Sequence, residues 1–242
     1  MAKYGRRRLM VRYRVRIRFG KQGDLRWLGH RDLMRCCERW FRRAALPMAF
    51  SEGFHPKPRM TFPLALAVGI AAENEVLELD LAEPVAVAEI QRRLQACAPC
   101  GLVLGPVEAP VTGKAKVISV EYSGSMPGSL VEVLPQRMAE FLDSDSSVVS
   151  RGAERSPVDV RPLVESLRLE GDRLVMRLAV GANASAGPRE VMSALGVPEA
   201  ERDGAVWSRT NVILEPQQIL EPQQSPVDAA VLPTNRTRSS DP

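Results

Sequence analysis

The sequence predicts an α+β fold in which the order β-α-β-β-α-β occurs twice, followed by a disordered tail. Three observations carry this. Tyr13, Val15, Ile17 and Phe19 alternate with Arg12, Arg14, Arg16 and Arg18, the period of two that marks a strand with one apolar and one cationic face. The run HRDLMRCCERWFRRAAL then places Leu33, Cys36 or Cys37, Trp40 and Ala44 at helical spacing, and Leu46-Pro47 ends it. From Lys114 the same order of segments starts again, without any residue-level repeat.

The remaining elements follow in turn. RMTFPLALAVGI and EVLELDL read as two strands joined by the polar AAEN, VAVAEIQRRLQAC as a helix, and LVLGPVEAP as a closing strand. In the second half KVISVEYSG is strand-like and SLVEVLPQRMAEFL helical, with Pro135 weakening its first turn or marking its true start. VDVRPLVESLRLEG and DRLVMRLAV form a hairpin about Gly171-Asp172, GPREVMSALGV is a short helix, and RTNVILE is the last strand. The order matches the ferredoxin-like unit, so the expected organisation is two tandem units, residues 10–110 and 114–215. Residues 216–242 are rich in Pro, Gln and Ser and short of core residues, and are expected to be disordered.

Charge divides the chain unevenly. Residues 1–62 hold 17 Lys and Arg against 4 Asp and Glu, whereas the rest holds 16 against 25, leaving a net charge of +4. A basic block on a folded segment is an electrostatic footprint for a phosphate-rich or acidic partner. The sequence holds no run of 18 apolar residues and no apolar signal core after its basic start, so no membrane span or secretory leader is expected and a cytoplasmic location follows. Four cysteines are too few for a disulfide scaffold of this length. The neighbours Cys36 and Cys37 point about 100° apart on a helix, an awkward way to join Cys97 and Cys100 around one tetrahedral ion. They are read as structural thiols, with no metal and no cofactor. GANASAG, residues 181–187, lacks the spacing of a nucleotide-binding loop.

Two features stand out as candidate contacts. Along the first helix Arg31, Arg35, Arg39 and Arg42 are spaced four, four and three, so their guanidinium groups form one ridge. After it comes SEGFHPKPRMTF, residues 51–62, where Gly53 permits positive φ and Pro56 and Pro58 stiffen a surface loop. His55, Lys57 and Arg59 on this loop extend the cationic ridge. Trp40, Phe41 or Phe54 would stack a base if exposed.

In YRVRIRF, LRWLGHRDLMRCCERWFRRAALPMAFSEGFHPKPRMTFPLALAVG and EVLELDL the chain resembles the radical SAM-linked protein family, domain of unknown function 2344. The matching residues are Leu28, His30, Asp32, Ala45 to Pro47, Ser51, Glu52, Gly53, Phe54, Pro56, Phe62, Val68 and Gly69, with VDVRPLV and SRTNV matching more weakly. The resemblance covers about residues 10–215. It implies a partner, a radical SAM protein with a cobalamin-binding-like domain, to which this domain is fused in other members; here it looks free-standing. No CxxxCxxC is present, so the chain is not itself the radical enzyme.

Three functions are compatible with these residues. The favoured one is a binding module, not catalytic alone, that presents RNA or a ribonucleoprotein to the radical SAM partner. A metal-independent endoribonuclease would use His30 and His55 as general acid and base, a fold analogy only. A protein–protein adaptor would leave His30 to cap or orient the first helix with Asp32, and Ser51 and Glu52 to satisfy backbone groups in the loop.

Overall fold

β1 (Tyr13–Lys21) sends Val15, Ile17 and Phe19 into a core, and the rest of the first half assembles on that face. The computed structural model of the chain describes residues 13–216, apart from 110, 112, 153–155, 182–184, 199 and 201–203. Arg12 and nearly all of the expected tail lie outside the described residues. The first half continues with α1 (His30–Arg43), β2 (Met60–Thr61), β3 (Ala71–Leu81), α2 (Val87–Ala96) and β4 (Leu102–Glu108). The second comprises β5 (Val117–Ser125), α3 (Gly128–Asp143), the short β6 (Val148–Val149) and β7 (Val158–Asp159), β8 (Val164–Glu170), β9 (Arg173–Ala179), α4 (Pro188–Ala194) and β10 (Val206–Leu214).

The chain is thus mixed α+β, and among the described residues eight strands share one sheet in the order β4-β1-β3-β10-β5-β9-β8, with β2 paired to β3. Every pairing in this sheet is antiparallel except β3 with β10, which run parallel through Ser208–Ala71 and Arg209–Ala72. In the first half Leu33, Cys37, Trp40 and Phe41 of α1 and Ile90 and Leu94 of α2 pack on Leu77, Leu79 and Leu81 of β3. In the second, Leu134 and Phe141 of α3 and Val191 and Met192 of α4 pack on Tyr122, Met176 and Leu178. Val76 of β3 belongs to the second core, so the two halves are joined by packing as well as by the sheet.

Four sequence expectations need correction. Only Met60–Thr61 of RMTFPLALAVGI is a strand, because Pro63 lacks a ladder donor and Gly69 turns the chain at φ +86. AAEN is no connector but the start of β3, recruited by pairing with β10. The strand expected from Val158 is broken by a 3-10 turn at Arg161–Leu163, where Pro162 removes a donor, and β8 starts at Val164. Pro135 neither starts α3 nor disrupts it, since the helix begins at Gly128 and is held on the core by fully buried Leu134.

The cationic face of β1 is not a solvent face. Arg14 donates to Asp80 at 2.8 Å and Arg16 to Glu78 at 3.0 Å, directly across the antiparallel β1–β3 register. Arg16 also bonds Glu108 on β4, and Arg14 reaches the carbonyl of Gly113 in the inter-half connection. Glu78 accepts from the Ala115 N–H at 3.0 Å, and Arg18 donates to the Val212 carbonyl on β10 at 3.0 Å. The hydrogen bond and charge of Asp80 hold the Arg14 pKa above its ordinary value, while burial lowers that of Arg18. Arg18 thus ties β1 to β10, while Arg14 and Glu78 hold the inter-half connection against the first half.

At the β3–β10 junction Arg209 clasps Glu75 with two bonds, 2.5 and 2.6 Å, and donates to the Ala65 carbonyl. Both side chains are essentially inaccessible. Burial alone would depress Arg209; bonds and charge from Glu75 outweigh it and raise its pKa. Removing one partner leaves an uncompensated buried charge, so Arg209→Met is expected to cost about 3–5 kcal/mol in urea unfolding, and pairing it with Glu75→Met to restore much of that loss.

Candidate functional site

α1 forms because its apolar positions fall on one stripe and Leu46-Pro47 stops it, with Ala45 at φ +49 closing the last turn. The opposite side carries the ridge. Arg31, Arg35, Arg39, Arg42 and the additional Arg43 are all exposed. Two acids share this side: Arg35 pairs with Asp32 at 3.4 Å and Arg42 with Glu38 at 2.8 Å. Exposed pairs of this kind contribute little, so they leave the ridge positive and available. Arg31, Arg39 and Arg43 make no ion pair among the described residues. A groove between α1 and the turn after α2 is lined by Cys36, Arg39, Arg42, Arg43 and Pro99.

The 51–58 loop is closed at its base. Phe50 bridges Pro58, the Ser51 N–H donates to the Lys57 carbonyl at 2.8 Å, and Ser51 Oγ accepts from the Lys57 N–H at 3.0 Å. Its stalk is anchored on the end of β3 through Ala49 N–H to the Asp80 carbonyl and Asp80 N–H to the Arg59 carbonyl, both near 2.9 Å or shorter. Gly53 turns the tip at φ +125, a region that favours glycine. Phe54, Glu52, His55, Pro56 and Lys57 are exposed, while Arg59 is half-buried and donates to the Phe50 carbonyl. The Arg42 guanidinium lies 5.7 Å from the centroid of the Phe50 ring, so the loop abuts the last turn of α1 and continues its ridge.

The two histidines are not brought together. His30 opens α1 and packs edge-on against Phe62, ring centroids 5.4 Å apart, with Nδ1 buried and lacking a hydrogen-bond partner among the described residues. His55 belongs to the loop at the other end of the helix, a rise of about 20 Å for fourteen residues. His30 makes no capping bond, and Asp32 turns instead to Arg35. Leu28 is the half-buried residue before the Gly29 cap.

Sequence reasoning offered Trp40 and Phe41 as base-stacking residues; both are 0% exposed, and the Trp40 indole donates to the Leu94 carbonyl at 2.9 Å. It missed Trp27, which is 59% exposed just ahead of α1. LRWLGH carried the signal: a lone aromatic between Arg26 and a glycine turn, off the helical stripe.

Cys36 and Cys37 are buried, Cys97 is half-buried and Cys100 is exposed. Among the described residues no three His, Cys, Asp or Glu side chains are grouped to hold a metal ion. Burial pushes the Cys37 thiol well above its ordinary value. Timed alkylation of the reduced native protein should therefore modify Cys100 first and leave Cys37 unmodified until unfolding, as read by peptide mass spectrometry.

A crystal structure described as an unknown protein from Galdieria sulphuraria is similar at 11% identity, covering 81% of this chain and 95% of that one, with a TM-score of 0.27. No curated protein matches. The profile of a family described as "Uncharacterized protein conserved in bacteria (DUF2344)" matches residues 14–189, from β1 into α4, and takes in α1, the 51–58 loop and the β3 side of the seam between the halves, while β10 lies beyond it. This chain belongs to that family of bacterial proteins, domain of unknown function 2344.

Proposed function

We propose that this chain is an accessory module of two tandem ferredoxin-like units that works beside a radical SAM protein carrying a cobalamin-binding-like domain. In this reading it presents RNA or a ribonucleoprotein to that partner through α1 and the 51–58 loop, and is not catalytic alone. The strand order supports the two units: each half reads fourth, first, third, second across the sheet, β4-β1-β3-β2 and β10-β5-β9-β8. The radical SAM partnership rests on the resemblance carried by LRWLGH and SEGFHPKP.

The observation that carries the RNA reading is the exposed file of Arg31, Arg35, Arg39 and Arg42, with Arg43 beside it and Lys57 on the adjoining loop. Among the described residues of the basic block, it stands outside while Arg14, Arg16 and Arg18 are engaged inside. Guanidinium groups along a helix suit successive phosphates, and the position of His30 and His55 at opposite ends of α1 favours binding over cleavage. No described helix is long and apolar enough to cross a membrane.

Fluorescence anisotropy with a labelled RNA oligonucleotide tests this. The triple variant Arg31→Glu/Arg35→Glu/Arg39→Glu is expected to lose most of the affinity, and neutralising the same positions with Gln should reduce the salt slope by about 2, for three single-strand phosphate contacts. RNA bound equally by wild type and variants would overturn the interface. Incubation with RNA in chelator should yield no fragments; cleavage lost in His30→Ala or His55→Ala with binding retained would move the assignment to an endoribonuclease. Purification of the tagged protein from its own cells should recover a radical SAM protein together with RNA. Recovery of that protein without RNA would leave α1 as a protein-docking surface.

A further inference from the structure

Trp27 is an exposed aromatic held in place from three sides. Its turn, the 3-10 segment Gly23–Trp27, is fastened from beneath by the buried Lys21 ammonium, which donates to the carbonyls of Arg26 at 3.2 Å and Leu28 at 3.5 Å. Lys21 is 0% exposed, and burial lowers its pKa. Gly69 packs against the indole so closely that a Cβ there would lie 3.2 Å from Cζ3, and the Gly69 N–H donates to the Arg26 carbonyl at 2.9 Å. The Arg26 guanidinium sits 4.8 Å from the centre of the indole ring.

An exposed tryptophan is ordinarily free to choose among rotamers; this one is confined by its neighbours while 59% of its surface stays in water. Neighbouring Val68, also exposed, extends the apolar area. The cation on the ring is Arg26, and the first ridge residue, Arg31, follows four residues after Trp27 in the first turn of α1. At the far end of the ridge stands Phe54, wholly exposed on the loop tip. The arginine file is therefore bracketed by two accessible aromatics, with the length of α1 between them.

We propose that Trp27 is a stacking platform for an unpaired nucleobase, which makes the ligand of the α1 surface single-stranded RNA. Resting on the RNA reading above, the proposal adds the site and the strandedness. Fixed aromatics interleaved with cations bind single strands because every base offers a π face while the backbone requires positive charge. Duplex RNA offers the same phosphates with its bases stacked away.

The three tryptophans give the experiment its control, since Trp40 and Trp207 are 0% and 3% exposed. Oligoadenylate, the matched RNA duplex, inorganic polyphosphate and polyglutamate are titrated into the full chain while intrinsic fluorescence is recorded, with affinity measured separately by calorimetry. Oligoadenylate is expected to quench the emission, and Trp27→Phe to abolish most of that change. Trp27→Ala should weaken oligoadenylate binding about fivefold or more and leave polyphosphate binding unchanged. Gly69→Ala, which crowds the indole and strains a backbone at φ +86 without deleting Trp27, should weaken oligoadenylate in the same selective way; far-ultraviolet circular dichroism checks that both variants are folded. Oligoadenylate bound without quenching and without dependence on Trp27 overturns the stacking platform while the RNA reading stands. Equal quenching by polyphosphate or the duplex likewise overturns it. Preferential binding and quenching by polyglutamate would assign Trp27 to an acidic protein, and absence of oligoadenylate binding at low salt would sink both proposals.

Discussion

The bidentate Arg209–Glu75 pair is the constraint on which the arrangement of the two halves depends. β3 and β10 share only a short parallel contact, too little backbone to define how two half-sheets meet. The ion pair stands on that contact and fixes it, because two buried charges must find each other in one geometry or remain costly. Lys21 lies within the electrostatic reach of both groups, attracted by Glu75 and repelled by Arg209. Its ammonium is aimed at the carbonyls of the Trp27 turn. The junction between the halves and the turn in front of α1 are thus parts of one buried polar cluster.

A second set of ionic contacts reinforces the first. On the other face of the first half-sheet, Arg14 and Arg16 meet Asp80 and Glu78 across β1 and β3, and the inter-half connection lies on them through Gly113 and Ala115. Asn74 donates to Asn211 at 2.8 Å, so β3 and β10 are also tied by side chains beyond their backbone pairing. Among the described residues the basic N-terminal block therefore splits between strand and helix. The strand arginines are internal fasteners, Arg14 and Arg16 paired with acids of EVLELDL and Arg18 bonded to a β10 carbonyl; the helical arginines point outward with few acids beside them. Charge counted over a whole segment merges these two roles.

Much of the candidate site was legible because its signals are local. Helical spacing placed the ridge on one side of α1, since positions three and four apart are neighbours on any helix. Gly53, Pro56 and Pro58 announced a stiff loop through their own backbone restrictions. Trp27 was not legible as an exposed group, because its exposure depends on Gly69, distant in sequence, and on a lysine buried beneath it. Trp40 and Phe41 were ambiguous for the converse reason: adjacent in sequence, they are both covered only once α2 and the sheet are in place.

The sequence by itself determined the succession of the longer strands and helices, the exposed basic side of α1, the glycine and proline positions of the 51–58 loop and the family to which the chain belongs. These rest on periodicity, on proline and glycine, and on short motifs, all properties of neighbouring residues. Even the Arg14–Asp80 and Arg16–Glu78 matches were present as two alternating strands of opposite charge, although nothing local said that they would pair. Tertiary structure alone decided that the two half-sheets join through β3 and β10, which of the basic block's charges are buried, and which aromatic meets solvent. Those outcomes depend on contacts between residues distant in sequence, from Trp27 with Gly69 and Arg14 with Asp80 to Glu75 with Arg209, and burial is a property of the assembled chain.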